Sequence, residues 1–249
     1  RAFREAFPGY SAGSRLDALR ASDYERLDRL GHVYLDYTGG GLYAASQVHR
    51  HQELLLARVL GNPHSANPTS MEASDLVDEA RAAVLRFFNA DPAEYDVTFT
   101  SNATGALKLV GESFPFEPGG RLLLTYDNHN SVNGIREFAR ARGAAVTYLP
   151  VYSPELRVDA GEVREELDRP GGGAARLFAY PAQSNFSGVQ HPLEWVAWAR
   201  DRGWHVVLDS AAFAPTNRLD LAEVRPDFVP LSFYKMFGYP TGIGALVFR

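Results

Sequence analysis

From residue 95 onward, short apolar runs alternate with segments whose apolar positions recur at helical spacing. The runs are residues 97–100, 122–126, 145–149, 176–180, 205–209, 228–232 and 243–248. Between them, residues 104–112, 132–142, 160–167 and 193–202 carry the helical pattern. Strand, helix and strand at this spacing predict parallel strands joined by right-handed crossovers in a covered sheet. The stretch 233–242 is too short for a crossover helix, so the seventh strand is expected to run antiparallel. The expected fold class is α/β, a three-layer α/β/α sandwich on a mostly parallel seven-stranded sheet.

Before residue 95 the pattern is mostly helical, with helices expected over 22–30, 46–60 and 70–88. In the last of these, Leu76, Ala80, Ala83, Val84 and Phe87 share one face. A short strand is expected over 33–36, leading into Gly39, Gly40 and Gly41. The chain thus divides into 1–94, an N-terminal helical segment that begins the large domain, and 95–249, the α/β core. Residues 169–174 (RPGGGA) read as a surface connection. The sequence stops at Arg249 directly after a strand, which reads as a fragment end.

Composition narrows the chemistry. A chain of 249 residues, 45% hydrophobic, is long enough to bury a substantial core. Its net charge of −5, without a basic run, argues against nucleic acid or an anionic membrane as partner. The absence of cysteine excludes a disulfide scaffold, a zinc ribbon and a cysteine nucleophile from these residues. No apolar stretch approaches a bilayer span, and residues 1–10 lack the apolar region of a signal peptide. The expectation is a soluble, cytoplasmic globular protein.

Ligands of open α/β sheets bind beyond the carboxyl ends of the strands, so the residues that follow each run are the candidates. After 97–100 come Ser101, Asn102, Ala103, Thr104 and Gly105, which open a helix and suit either a phosphate cradle or an ordinary N-cap. After 122–126 come Asp127, Asn128, His129, Asn130 and Ser131, where an imidazole can stack on a flat ligand or transfer protons, or where a polar turn simply ends in a cap. Residues 181–188 (PAQSNFSG) offer amides and hydroxyls, a composition that loops commonly share. Asp209 stands at the end of a buried strand, beside the small residues Ser210, Ala211 and Ala212, and a carboxylate there is costly unless paired. Lys235 lies among Phe233, Tyr234, Met236 and Phe237, where partial desolvation makes an amine nucleophilic and suits Schiff-base chemistry. Each feature has a bland reading. Together, an anion cradle, a stacking ring, an amide, a buried carboxylate and a shielded amine match one small molecule, pyridoxal phosphate.

The segment SFYKMFGYPTG, residues 232–242, strongly resembles the cofactor-lysine segment of molybdenum cofactor sulfurases. These belong to the class V aminotransferase and cysteine desulfurase group of fold type I pyridoxal phosphate enzymes. Tyr34-Leu35-Asp36-Tyr37 with the three glycines, Gly61-Asn62-Pro63-His64-Ser65, and Asp127-Asn128-His129 with Ser131-Val132 support it, so that the resemblance covers nearly the whole chain. It implies that Lys235 bonds the cofactor, that Asp209 pairs with the pyridine nitrogen, and that His129 stacks on the ring. It further implies that Asn185 hydrogen-bonds the phenolic oxygen and that Ala103, Thr104 and Ser232 bind the phosphate. Lys235 and His129 are then the catalytic pair. An amino acid, L-cysteine, is the implied substrate, and a homodimer the implied assembly. Ordinary cysteine desulfurases carry a glutamine where this chain has Ala212 and a histidine where it has Tyr234; both departures match the sulfurase branch. The persulfide-forming cysteine and the carboxylate-binding arginine of such enzymes lie in a C-terminal small domain, which is expected to be absent here.

Rival readings carry less. Gly39, Gly41 and Ala44 fit a dinucleotide-binding glycine pattern, but no second strand ending in an acid follows at the required distance. Asp209-Ser210-Ala211 lacks the flanking glycines of a serine-hydrolase elbow. His49 and Glu53 share a helical face near His51, without a third ligand at diagnostic spacing, so no metal site is expected. The remaining functional alternatives are another class V reaction on the same Lys and Asp (transamination, elimination or epimerisation) and a domain that binds the cofactor without catalysis.

Overall fold

The computed structural model describes residues 2–172 and 175–249, so the end of the glycine-rich connection lies outside the described residues. The N-terminal part is helical: α1 (Ala2–Ala6), α2 (Ser14–Asp23), α3 (Glu25–Leu30), α4 (Ala45–Ala57) and α5 (Pro68–Phe87). The expected helix over 22–30 is therefore interrupted at Tyr24. The interruption turns the Asp23 carboxylate onto the Ser46 N–H at 2.8 Å, where it serves the start of α4, whose own cap position is Ala44. Asn67 caps α5 by accepting from the Ser70 N–H at 3.0 Å, and Pro68 stands at the first helical position.

The expected strand over 33–36 does not form. Its apolar pattern is right, but Val33 and Leu35 are 83% and 82% exposed and no strand pairs with them, so the extended backbone has no ladder to join.

Among the described residues, the sheet has seven strands: β1 (Asp96–Thr100), β2 (Arg121–Thr125), β3 (Ala145–Leu149), β4 (Arg176–Pro181), β5 (His205–Asp209), β6 (Phe228–Ser232) and β7 (Gly244–Phe248). Their order is β1-β7-β6-β5-β4-β2-β3. β7 pairs antiparallel with β1 and β6, as the short connection before it requires, and the other pairs are parallel. The crossovers are α6 (Ala103–Ser113), α7 (Asn130–Asn133) with α8 (Ile135–Ala141), α9 (Ala160–Asp168) and α10 (Trp195–Asp201). The pattern over 132–142 thus resolves into two helices that meet at Gly134. A five-residue helix, α11 (Phe233–Phe237), occupies the β6–β7 connection.

The sheet is covered on both sides. Leu123, Phe178, Val206 and Leu208 pack with Val163, Leu167, Trp195 and Trp204 on one face. Leu122, Leu124, Leu177 and Val207 pack with Leu107, Val110, Ile135 and Ala139 on the other. This double burial explains why the strands read as continuous apolar runs rather than as alternating ones. No helix among the described residues is long and apolar enough to cross a membrane.

Candidate functional site

Five strands end in one cleft. Beyond β1, Asn102 caps α6 by accepting from the Gly105 N–H at 2.9 Å. That leaves Ala103 and Thr104 in the first helical turn, where backbone N–H groups have no partner within the helix. The Ala103 N–H donates to Ser232 Oγ at 2.9 Å, so the end of β6 is stitched to the start of α6. Beyond β2, the Asn128 side chain donates to the carbonyls of Thr125 at 3.0 Å and Ala179 at 2.9 Å, holding the turn that presents His129. Asn185 follows β4, Asp209 ends β5, and Lys235 lies on α11 directly after β6.

All seven residues singled out from the sequence, Ala103, Thr104, His129, Asn185, Asp209, Ser232 and Lys235, line the same cleft. Asn102, Ser131, Gln183 and Tyr234 line it too. A second cavity reaches Lys235 from beside α2 and α3, with Leu16, Arg20, Tyr37 and Leu42 on its walls. Among the described residues, no group of three or more His, Asp or Glu side chains is placed to hold a metal ion.

Asp209 is 7% exposed. Its carboxylate accepts from the Ala211 N–H at 3.1 Å, and no basic side chain among the described residues comes within ion-pair distance. Burial pushes its carboxyl above the usual range, against the pull of the Ala211 N–H and the positive charges of Lys235 and His129. An acid in that state has unused capacity to pair with a cationic partner in the cleft. Lys235 is half-buried; Thr104, His129 and Asn185 are exposed on the rim.

Ser131 is the residue that sequence reasoning missed. Its hydroxyl bonds Thr104 Oγ1 at 2.7 Å and His129 Nδ1 at 2.9 Å, and its backbone N–H donates to the same Nδ1 at 3.2 Å. A ring nitrogen that accepts an N–H carries no proton of its own, so neutral His129 holds its proton on Nε2. Ser131 thereby couples the imidazole to the start of α6. The signal in the sequence was a serine two positions after a histidine, which reads as a helix cap unless the partner from α6 is known.

Behind the cleft, Asp127 and His191 form a buried pair at 2.8 Å between Oδ2 and Nε2, with side chains 3% and 2% exposed. Burial works to raise the Asp127 carboxyl, and the His191 hydrogen bond and charge override it, leaving it below the usual range. The pair ties the turn after β2 to the loop after β4, and His191 lies against Trp195 at 5.3 Å between ring centroids.

The likeness to known proteins follows the same architecture. Residues 33–249 match the aminotransferase class-V family. The molybdenum cofactor sulfurase of Arabidopsis thaliana is 38% identical over 276 residues, covering 97% of this chain and 33% of that protein. The bovine molybdenum cofactor sulfurase is 41% identical, covering 96% of this chain and 28% of the relative. The chain therefore spans about a third of the length of these curated relatives. Among solved structures, the cysteine desulfurase of Thermococcus onnurineus superposes with a TM-score of 0.81 at 24% identity, covering 94% of this chain and 56% of that one. An Escherichia coli cysteine desulfurase gives 0.75 at 23% identity, with 94% and 57% covered. The sheet order and crossovers are thus those of cysteine desulfurases, and with the family match running from residue 33 to the last residue, the chain belongs to the aminotransferase class-V family.

Proposed function

We propose that this chain is the pyridoxal phosphate-binding domain of a molybdenum cofactor sulfurase-like enzyme that acts on an amino acid, L-cysteine. The observation that carries the reading is the meeting of five strand ends in one cleft, with a buried carboxylate, Asp209, lacking a cation of its own. The donor set fits the cofactor part by part. Asp209 suits a protonated pyridine nitrogen. The start of α6, with the Thr104 and Ser232 hydroxyls, suits a phosphate. Asn185 suits the phenolic oxygen, His129 the ring face, and Lys235 the aldehyde carbon.

When bound, pyridoxal phosphate supplies an electron-withdrawing ring conjugated to the α-carbon of the amino acid. The chain's own residues do the rest. Asp209 keeps the ring-nitrogen proton in place, because losing it would restore an unpaired buried charge. Lys235 Nζ would hold the cofactor through its aldehyde carbon, and as a free amine in the cleft it would accept and return the proton at the α-carbon of the amino acid. The cavity beside α2 and α3 gives an amino acid access to that amine. His129 lines the cleft with its Nδ1 held by Ser131, which leaves Nε2 as the proton-bearing nitrogen of the neutral ring. The names of the relatives, sulfurase and desulfurase, favour cysteine as the substrate, and Ala212 and Tyr234 favour the sulfurase branch. The reading includes a homodimer; Leu56 and Val59, 79% and 75% exposed on and just after α4, offer apolar surface for it.

Purified protein mixed with pyridoxal phosphate is expected to develop the visible absorbance of a lysine–cofactor imine, and borohydride should then fix the label on Lys235. Lys235→Ala should stay colourless under the same treatment. Equal colour in parent and variant, or a borohydride label elsewhere, overturns the reading.

A further inference from the structure

The glycines at 39–41 have no part in the cofactor cleft, yet they lie against the lysine segment. The Gly41 N–H donates to the Tyr234 carbonyl at 2.9 Å, the same carbonyl that receives the Gly238 N–H at 2.9 Å where α11 ends. A Cβ on Gly41 would lie 3.0 Å from the Lys235 carbonyl oxygen and 3.1 Å from Gly238 N. From the other side, Gly238 has φ +71°, and a Cβ on it would stand 2.2 Å from Tyr43 N and 2.4 Å from the Leu42 carbonyl carbon. Two stretches of backbone nearly 200 residues apart in sequence are therefore in direct contact, with no side chain between them.

We propose that residues 39–43 are a strap that fixes the position of Lys235, and that Gly41 and Gly238 are positioning residues for the cofactor amine. The inference rests on the reading of Lys235 as the cofactor lysine. A five-residue helix is far too short to hold its own shape, so an external bond to its last turn decides where its side chains point. The strap supplies that bond and is itself anchored at both ends. On the N-terminal side, the Tyr34 hydroxyl shares its one hydrogen between the carbonyls of Gly40 at 2.7 Å and Asp36 at 3.0 Å. On the C-terminal side, the Arg26 guanidinium donates to the Tyr43 carbonyl and lies 4.2 Å from the centroid of its ring. The Tyr24 hydroxyl reaches the Leu42 carbonyl at 3.4 Å. The N-terminal helices thus act on the amine through the strap rather than by touching the cofactor.

The test measures three quantities on the full chain: exchange of the Gly41 amide without cofactor, the rate of colour development with pyridoxal phosphate, and the pH midpoint of the visible band. The midpoint reports the surroundings of the imine nitrogen, which a loss of general stability would not move. Gly41→Ala should slow colour development roughly ten- to hundredfold and shift the midpoint, as expected of a reacting group displaced by about 1 Å. Gly40→Ala, whose Cβ meets the Tyr234 ring edge at 3.4 Å and its carbonyl oxygen only at 4.0 Å, should do less. Should Gly41→Ala fail to fold, Tyr34→Phe and Arg26→Met loosen the anchors without adding atoms against α11. Each should then speed Gly41 amide exchange and shift the midpoint in the same direction. A parent that takes no colour overturns the function reading and this inference with it. A coloured parent matched by its folded Gly41→Ala variant, or by both anchor variants, in rate and midpoint overturns the strap alone.

Discussion

Replacing Asp209 with asparagine removes a charge while keeping the shape of the side chain and its acceptor for the Ala211 N–H. In the protein without cofactor this carboxylate is buried and its carboxyl is raised by that burial, so the folded state binds a proton more readily than the unfolded chain does. The sign follows from linkage. Stability contributed by a raised carboxyl is fully present below its unfolded value, near 3.8, and is lost as pH rises through the folded value. At neutral pH the charged group is therefore a net cost, about 1.4 kcal/mol for every unit of elevation. Asp209→Asn should then melt above the parent at pH 7, each kcal/mol of added stability raising the melting temperature by roughly 2–4 °C in a chain of this size. The advantage should vanish below about pH 4, where both side chains are neutral. Added pyridoxal phosphate should reverse the order. The parent gains roughly 2.7 kcal/mol at a hundredfold excess over its dissociation constant, while the variant, without a partner for the ring nitrogen, gains less. Thermal melts of parent and variant at pH 4 and 7, with and without cofactor, read the difference under all four conditions. A variant that melts below the parent without cofactor at pH 7, or that gains as much from the cofactor, refutes the argument that a buried unpaired charge is held there for a cationic ligand.

Two further substitutions probe what supports the cleft. Ser232→Ala leaves the buried Ala103 N–H without its acceptor, which should cost about 1–2 kcal/mol in urea unfolding and weaken capture of the phosphate-bearing cofactor more than that of pyridoxal. His191→Leu strands the Asp127 carboxylate in the interior and should cost about 3–5 kcal/mol. In the parent, the depressed Asp127 carboxyl contributes stability that is present above its unfolded value near 3.8 and is lost as pH falls through the folded value. In His191→Leu, burial is opposed only by the remaining hydrogen bonds from Thr125 and the backbone, so the rise of stability with pH over about pH 3–5 should flatten or reverse at this group. An unchanged slope shows that the pair does not govern the Asp127 charge.

What was legible in the sequence depended on whether the cause was local or repeated. The strands β5 and β6 match their apolar runs residue for residue, because double burial writes the strand as an uninterrupted string; β3, at the sheet edge and buried only at Leu149, also matches its run. The antiparallel β7 followed from chain length alone. The cleft residues were legible because parallel strands deliver their carboxyl ends to one edge, so that small, polar and charged residues just after each run converge without any knowledge of their contacts. Features with a distant partner were not legible. Residues 33–36 have the pattern of a strand and lack only a neighbour. Asp23 looks like part of the first turn of a helix over 22–30 until the Ser46 N–H, 23 positions away, is seen to need it. Ser131 and the Asp127–His191 pair are polar turn and loop residues whose meaning lies in what faces them.

The three glycines belong to the same class, and they show why a motif is not a mechanism. In sequence they imitate a phosphate-binding turn, since both uses require a backbone without Cβ atoms. A phosphate turn, however, leaves its N–H groups free at the start of a helix, whereas the Gly41 N–H is already committed to the Tyr234 carbonyl and the next helix, α4, does not begin until Ala45. The helix that does start directly after a strand end is α6, where the Ala103 N–H is taken by Ser232 Oγ and the Gly105 N–H by Asn102 Oδ1, so that the phosphate site proposed above rests on the Thr104 N–H and the Thr104 and Ser232 hydroxyls. The glycine run serves instead where one backbone passes directly against another, with the Gly41 N–H given to the carbonyl of the residue before Lys235.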